Sequence, residues 1–83
     1  KLKRLELRGT LVGDAGLKHL AKLSELVLLD LAETSVGDEG VSRLVGLSKL
    51  AALDLWDTRV TDAAMTSVGK LTGLVTLNLQ NTA

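Results

Sequence analysis

The side chains able to do chemistry in this chain are mostly carboxylates, and they recur at one interval. Glu6, Asp30 and Asp54 stand 24 positions apart, with Asn78 at the next step, and Glu33 and Asp57 repeat the same spacing. Asp14, Asp38 and Asp62 form a third series. Neighbouring carboxylates can work as an acid–base pair or receive the Lys and Arg side chains of a partner. Trp56, the only aromatic residue, lies two positions after Asp54 and one before Asp57, and His19 is the only imidazole.

Catalytic templates do not fit these residues. Gly9, Gly13 and Gly16 lack the Gly-x-Gly-x-x-Gly spacing, and Asp14 at the start of a helical pattern would repel a phosphate. Gly69-Lys70 has neither the upstream Gly nor the following Ser or Thr of a P-loop. His19 falls in a helical pattern, on the opposite side from the strand residues, so no serine finds a triad. Asp30 and Asp54 have a glycosidase-like separation, yet an open, shallow face offers no pocket to raise one pKa. The expectation is a protein that is not an enzyme and carries no catalytic residue, metal site or cofactor.

Composition narrows the class. Of 83 residues, 46% are hydrophobic, so with a single aromatic the interior must be built from Leu, Val and Ala in thin layers. Ten basic residues balance ten acidic ones, and no global field recruits nucleic acid or an anionic membrane. Lys18, Lys22 and Lys70 gather with His19 and Arg43 on the outer helical pattern, but without interleaved aromatics they make a weak nucleic-acid surface. No cysteine is present, which leaves the compartment open. No apolar run approaches the roughly 18 residues of a membrane span.

The elements that position the carboxylates follow from the interval itself. Leu2, Leu26, Leu50 and Leu74 align, as do Leu5, Leu29, Leu53 and Leu77, then Leu7, Leu31, Leu55 and Leu79, and finally Thr10, Thr34, Thr58 and Thr82. Each Leu-x-x-Leu-x-Leu ends in apolar–polar alternation, the period of a half-buried strand, and predicts four short strands. The Thr favours extended backbone and can bond nearby backbone where the chain turns away. Val12, Val36 and Val60 then point back to the core. Asp14, Asp38 and Asp62 are expected to cap helices whose buried stripes are Leu17, Leu20 and Leu23, Val41, Leu44 and Leu47, and Met65, Val68 and Leu71. Gly16 and Gly40, in the first helical turns, point to close packing between units.

The pattern Leu-x-x-Leu-x-Leu-x-x-Thr-x-Val resembles the leucine-rich-repeat signature, with Thr where the family usually has Asn or Cys. Its Val-x-Asp-x-Gly continuation is similar to 24-residue, helix-bearing bacterial repeats, and more distantly to F-box and ribonuclease-inhibitor-like repeats. The resemblance covers residues 1–83 as one domain of three full repeats and a fourth strand. It implies an α/β fold, a right-handed solenoid with a parallel sheet on the concave face and short helices on the convex face. Thr in place of Asn leaves one side-chain donor instead of two and implies a weaker ladder between repeats. Apolar Leu2, Leu5 and Leu7 open the chain and Leu74, Leu77 and Leu79 nearly close it, so no polar capping repeat is visible. The expectation is a piece of a longer array, with end-to-end self-association as the alternative.

On this plan, strand alternation sends twelve residues out of the core: Arg4, Glu6, Arg8; Leu28, Asp30, Ala32; Ala52, Asp54, Trp56; and Thr76, Asn78, Gln80. Strands about 4.8 Å apart stack Glu6, Asp30, Asp54 and Asn78 into one column, extended by Glu33 and Asp57. Like charges about 5 Å apart repel by roughly 1 kcal/mol in water and by several at an effective dielectric of 20. Two readings follow. The column is a docking strip for basic side chains of a partner, or it is a solvated face that Arg4, Arg8 and Arg59 partly neutralise. Trp56 is likewise either a binding hot spot or a ring lying over small neighbours to cover the sheet. The expected function is a protein–protein interaction module that binds a protein or peptide through Glu6, Arg8, Asp30, Glu33, Asp54, Trp56, Asp57, Asn78 and Gln80. The alternative is spacer repeats, since twelve positions fall below the roughly 20 to 30 residues per side of a standard interface.

Overall fold

In a computed structural model that describes residues 2–82, the chain is a mixed α/β fold with a four-stranded parallel sheet. Strands β1 (Arg4–Glu6), β2 (Leu28–Asp30), β3 (Ala52–Asp54) and β4 (Thr76–Asn78) lie side by side in chain order. Helices α1 (Asp14–Leu20) and α2 (Asp38–Ser42) connect the first three. A 3₁₀ turn over Asp62–Ala64 runs into α3 (Met65–Val68) before β4. No helix among the described residues is long and apolar enough to cross a membrane.

The 24-residue interval survives as register. Arg4 pairs with Leu28, Leu28 with Ala52 and Ala52 with Thr76, and likewise Glu6 with Asp30, Asp30 with Asp54 and Asp54 with Asn78. Pairing also continues past the three-residue strands. Leu7 N–H donates to Asp30 O at 2.8 Å, Leu31 N–H to Asp54 O at 2.9 Å, and Leu55 N–H to Asn78 O at 2.9 Å. One unit cannot bury its Leu side chains alone, whereas packing α1 on α2 and α2 on the third helical segment closes a layer over the sheet. Leu17, Leu26, Leu29, Leu31, Leu44, Leu47, Leu50, Leu53 and Leu55 are fully buried there, with Val36, Val41 and Val60. Each contributes about 1.5–3 kcal/mol relative to an exposed side chain. The outer units are less covered: Leu5, Leu7, Leu20, Leu23, Val68, Leu77 and Leu79 are half-buried, and Met65 is exposed.

Each Thr closes the turn at the end of its strand. The hydroxyls of Thr10, Thr34, Thr58 and Thr82 donate to the carbonyls of Leu7, Leu31, Leu55 and Leu79 at 2.7–2.9 Å. The single Thr donor is therefore used inside its own unit, and along the strand ladder the units are joined by backbone N–H groups instead. The residue before each Thr is left-handed: Gly9, Glu33, Asp57 and Asn81 have φ of 73°, 58°, 56° and 63°. Gly and Asn tolerate this conformation, while Glu33 and Asp57 hold it at a cost of about 1–2 kcal/mol each.

The capping expectation is corrected. The extended residue before each helix is Gly13, Gly37 or Thr61, so Asp14, Asp38 and Asp62 are first helical residues. Of the three positions only Thr61 caps with a side chain, accepting from Ala63 N–H at 3.2 Å. Asp14 and Asp38 turn to the following unit: Asp14 Oδ1 accepts from Gly37 N–H and Asp38 Oδ1 from Thr61 N–H, both at 2.7 Å. Asp38 Oδ2 also receives the Thr61 hydroxyl. These bonds from Thr61 hold the Asp38 carboxyl below its ordinary pKa, its side-chain bond first and its backbone bond second, against a smaller desolvation effect. Close packing at Gly40 is confirmed, since a Cβ there would run into the Asp14 carboxylate and stand 3.0 Å from Leu17 Cδ1. At Gly16 the near neighbour is Val12, within the same unit.

Candidate functional site

The sheet face away from the helices carries the acidic column, and strand geometry explains both its spacing and its orientation. At β2 and β3 the column residue folds back on the turn that follows. Asp30 Oδ1 accepts from Ala32 N–H, Asp54 Oδ1 from Trp56 N–H and, on β4, Asn78 Oδ1 from Gln80 N–H, each at 3.0 Å. A short side chain two residues before a free N–H makes this bond readily. One oxygen of each Asp is thereby fixed and the other points outward.

Arg8 takes both outward oxygens. Its Nε lies 3.2 Å from Asp30 Oδ2, its Nη2 3.2 Å from Asp54 Oδ2 and its Nη1 3.7 Å from Glu33 Oε1. The same guanidinium sits 5.9 Å from the centroid of the Trp56 ring, within cation–π range. Desolvation works against the charged form of Arg8, but the Asp30 hydrogen bond and the charges of Asp30, Asp54 and Glu33 outweigh it and raise its pKa. Arg8 and Trp56 hold the places on either side of Ala32 in the 24-residue register, and Ala32 is fully buried. Of the three arginines expected to neutralise the column, Arg8 alone forms ion pairs with it among the described residues.

Beside this cluster the sheet face holds an open depression of about 260 Å³, floored by half-buried Leu28 and Ala52. Glu6, Asp54, Asn78 and Thr76 are among the residues that border it. Glu6 stands at the Asp30 place in the column, one methylene longer and exposed. Its carboxylate has no hydrogen-bond or ion-pair partner among the described residues.

The structure thus brings together Arg8, Asp30, Glu33, Asp54 and Trp56, and sets Glu6 and Asn78 on neighbouring ground at the depression. Asp57 and Gln80 are exposed and meet through backbone, Asp57 N–H donating to Gln80 O at 3.1 Å. Sequence reasoning passed over the floor residues Leu28 and Ala52 as binding ground, although strand alternation had placed them on this face. It also missed the left-handed backbone at Glu33 and Asp57. Gly9 and Asn81, at the same register, were the signal. His19 is exposed in the last turn of α1 with Lys18, where positive charge suits the helix dipole. Among the described residues no group of three or more His, Asp or Glu side chains is arranged to hold a metal ion.

This arrangement can grip a ligand by charge, by stacking at Trp56 and by apolar contact in the depression. Comparison with known proteins gives no match, either to a family model or to a curated sequence.

Proposed function

We propose that this chain is part of a right-handed leucine-rich-repeat solenoid and binds a protein or peptide on the exposed, concave side of its sheet, without catalysis or cofactor. Support for the family reading comes from the Leu and Thr columns and from strand pairs offset by 24 residues at every step. The observation that carries the binding reading is half-buried Trp56 on a solvent-facing sheet, its backbone N–H donating to Asp54 and its ring under the Arg8 guanidinium. Aromatics held in this way, with part of their surface still accessible, are favoured anchors for partners because little side-chain entropy remains to be lost. Affinity capture with the protein, compared with the Trp56→Ala/Asp54→Ala variant, tests it. Loss of a specific partner with the fold intact supports binding, and an unchanged partner set rejects this face as the site.

A second reading, spacer repeats whose binding partner sits elsewhere, is favoured by the neutralisation of the column. Arg8 satisfies Asp30 and Asp54 from within, and Asp14, Asp38 and the Glu25–Lys49 ion pair at 3.0 Å tie unit to unit. On this reading the polar groups serve length and stiffness. The same capture experiment separates the two.

A further inference from the structure

We infer that the depression on the sheet face receives a lysine side chain from the partner, its methylene stem across Ala52 and Leu28 and its ammonium on Glu6. The inference rests on the docking face proposed above and names the chemistry that face selects.

Elimination among the acids places the charge. Asp30 and Asp54 each have Oδ1 bonded to a turn N–H and Oδ2 to Arg8. A second cation at either would have to displace the guanidinium or share an oxygen with it. Asn78 offers no charge, and its Oδ1 is taken by Gln80 N–H. Glu6 borders the same depression with a carboxylate that nothing among the described residues engages. Around the depression, the negative charge left available among the described residues is therefore that of Glu6.

The floor decides the kind of cation. Leu28 and Ala52 leave apolar surface open beside Glu6, and a four-carbon stem can cover such surface while its head stays hydrated. Lysine ends in a compact charge that one carboxylate satisfies. Arginine gains most from a planar fork of acceptors, and here that fork, Asp30 with Asp54, already holds Arg8. A partner arginine is therefore disfavoured relative to lysine, and an uncharged chain of the same length loses the contact with Glu6.

The test is a titration of the isotopically labelled protein with acetyl-Ala-Lys-Ala-amide, its arginine counterpart and its norleucine counterpart, followed through backbone amide shifts. Saturable shifts at Leu28, Ala52 and Thr76 are expected, strongest for lysine and reduced by salt. Glu6→Gln should weaken lysine binding roughly two- to fivefold, the range of one exposed ion pair, without changing the norleucine response. Norleucine or arginine binding as tightly as lysine, an unaffected Glu6→Gln variant, or no saturable shift at these amides would each overturn the inference. A partner still captured in a Trp56-dependent manner would then leave the docking face standing and remove only its lysine preference. Loss of both results would remove the docking face as well.

Discussion

Arg8 Nη2 lies 3.2 Å from Asp54 Oδ2, although 46 positions separate the two residues and the strand bearing Asp30 lies between them. One side chain from the first unit thus reaches the third and braces three strands of the sheet. Removing it should leave Asp30, Glu33 and Asp54 facing each other without a cation. Arg8→Ala is expected to lower stability more at low than at high salt, because screening relieves the exposed repulsion. Urea denaturation at two ionic strengths checks this, and equal losses would mean the arginine acts by packing alone.

The bonds from Thr61 make Asp38 a source of pH dependence. Its folded pKa is depressed below the ordinary 3.8. The stabilisation is therefore complete above the unfolded value and declines as pH falls from there through the folded one. Urea midpoints measured from neutral pH into this acid range should show a decline that Asp38→Asn makes shallower. An identical decline in the variant would assign acid sensitivity to other carboxylates.

Two glycines separate close approach from mere flexibility. Gly40→Ala would push a methyl group against Asp14, Leu17 and Val36 and should cost about 1–3 kcal/mol. At Gly46 a Cβ meets nothing within 4 Å. Gly46→Ala should be neutral or stabilise by about 0.4–1 kcal/mol through the unfolded chain. Chemical denaturation of the two variants side by side decides it.

Location outweighs residue type among the leucines. Leu53 is 1% exposed and Leu11 fully exposed. Leu53→Ala should lose about 2–5 kcal/mol, whereas Leu11→Ala should stay within about 0.5 kcal/mol of the parent. Comparable losses at both sites would contradict the packing described.

Asp57 links backbone strain to the candidate surface. With φ at 56°, a β-branched side chain is strongly disfavoured there. Asp57→Val should destabilise by about 1–3 kcal/mol, and Asp57→Asn should be neutral or slightly stabilising. If Asp57→Asn retains stability but loses a partner, the carboxylate itself serves recognition. Thermal melts paired with capture provide both readouts.

Much of the fold was legible in advance. The Leu columns predicted four short strands, and the observed register places Leu5, Leu29, Leu53 and Leu77 side by side. The Thr turns and the buried Val36 and Val60 followed from the same period. The caps were misplaced by one residue, because Asp before a helical pattern suits the cap and the first turn equally well. Only backbone angles separate the two positions. Of the candidate site, the sheet face was legible, whereas the full burial of Ala32 and the identity of the neutralising arginine were not.

The sequence alone determined the period, the strands and the inward face, because these depend on local alternation and on apolar residues returning at one interval. Tertiary structure decided what the polar side chains do. Asp14 and Asp38 bind the next unit's backbone, Arg8 crosses to Asp54, and Glu6 keeps a carboxylate without a partner among the described residues. A strand confines its backbone to one geometry, but a long charged side chain has many rotamers, and neighbours brought close only by folding select among them.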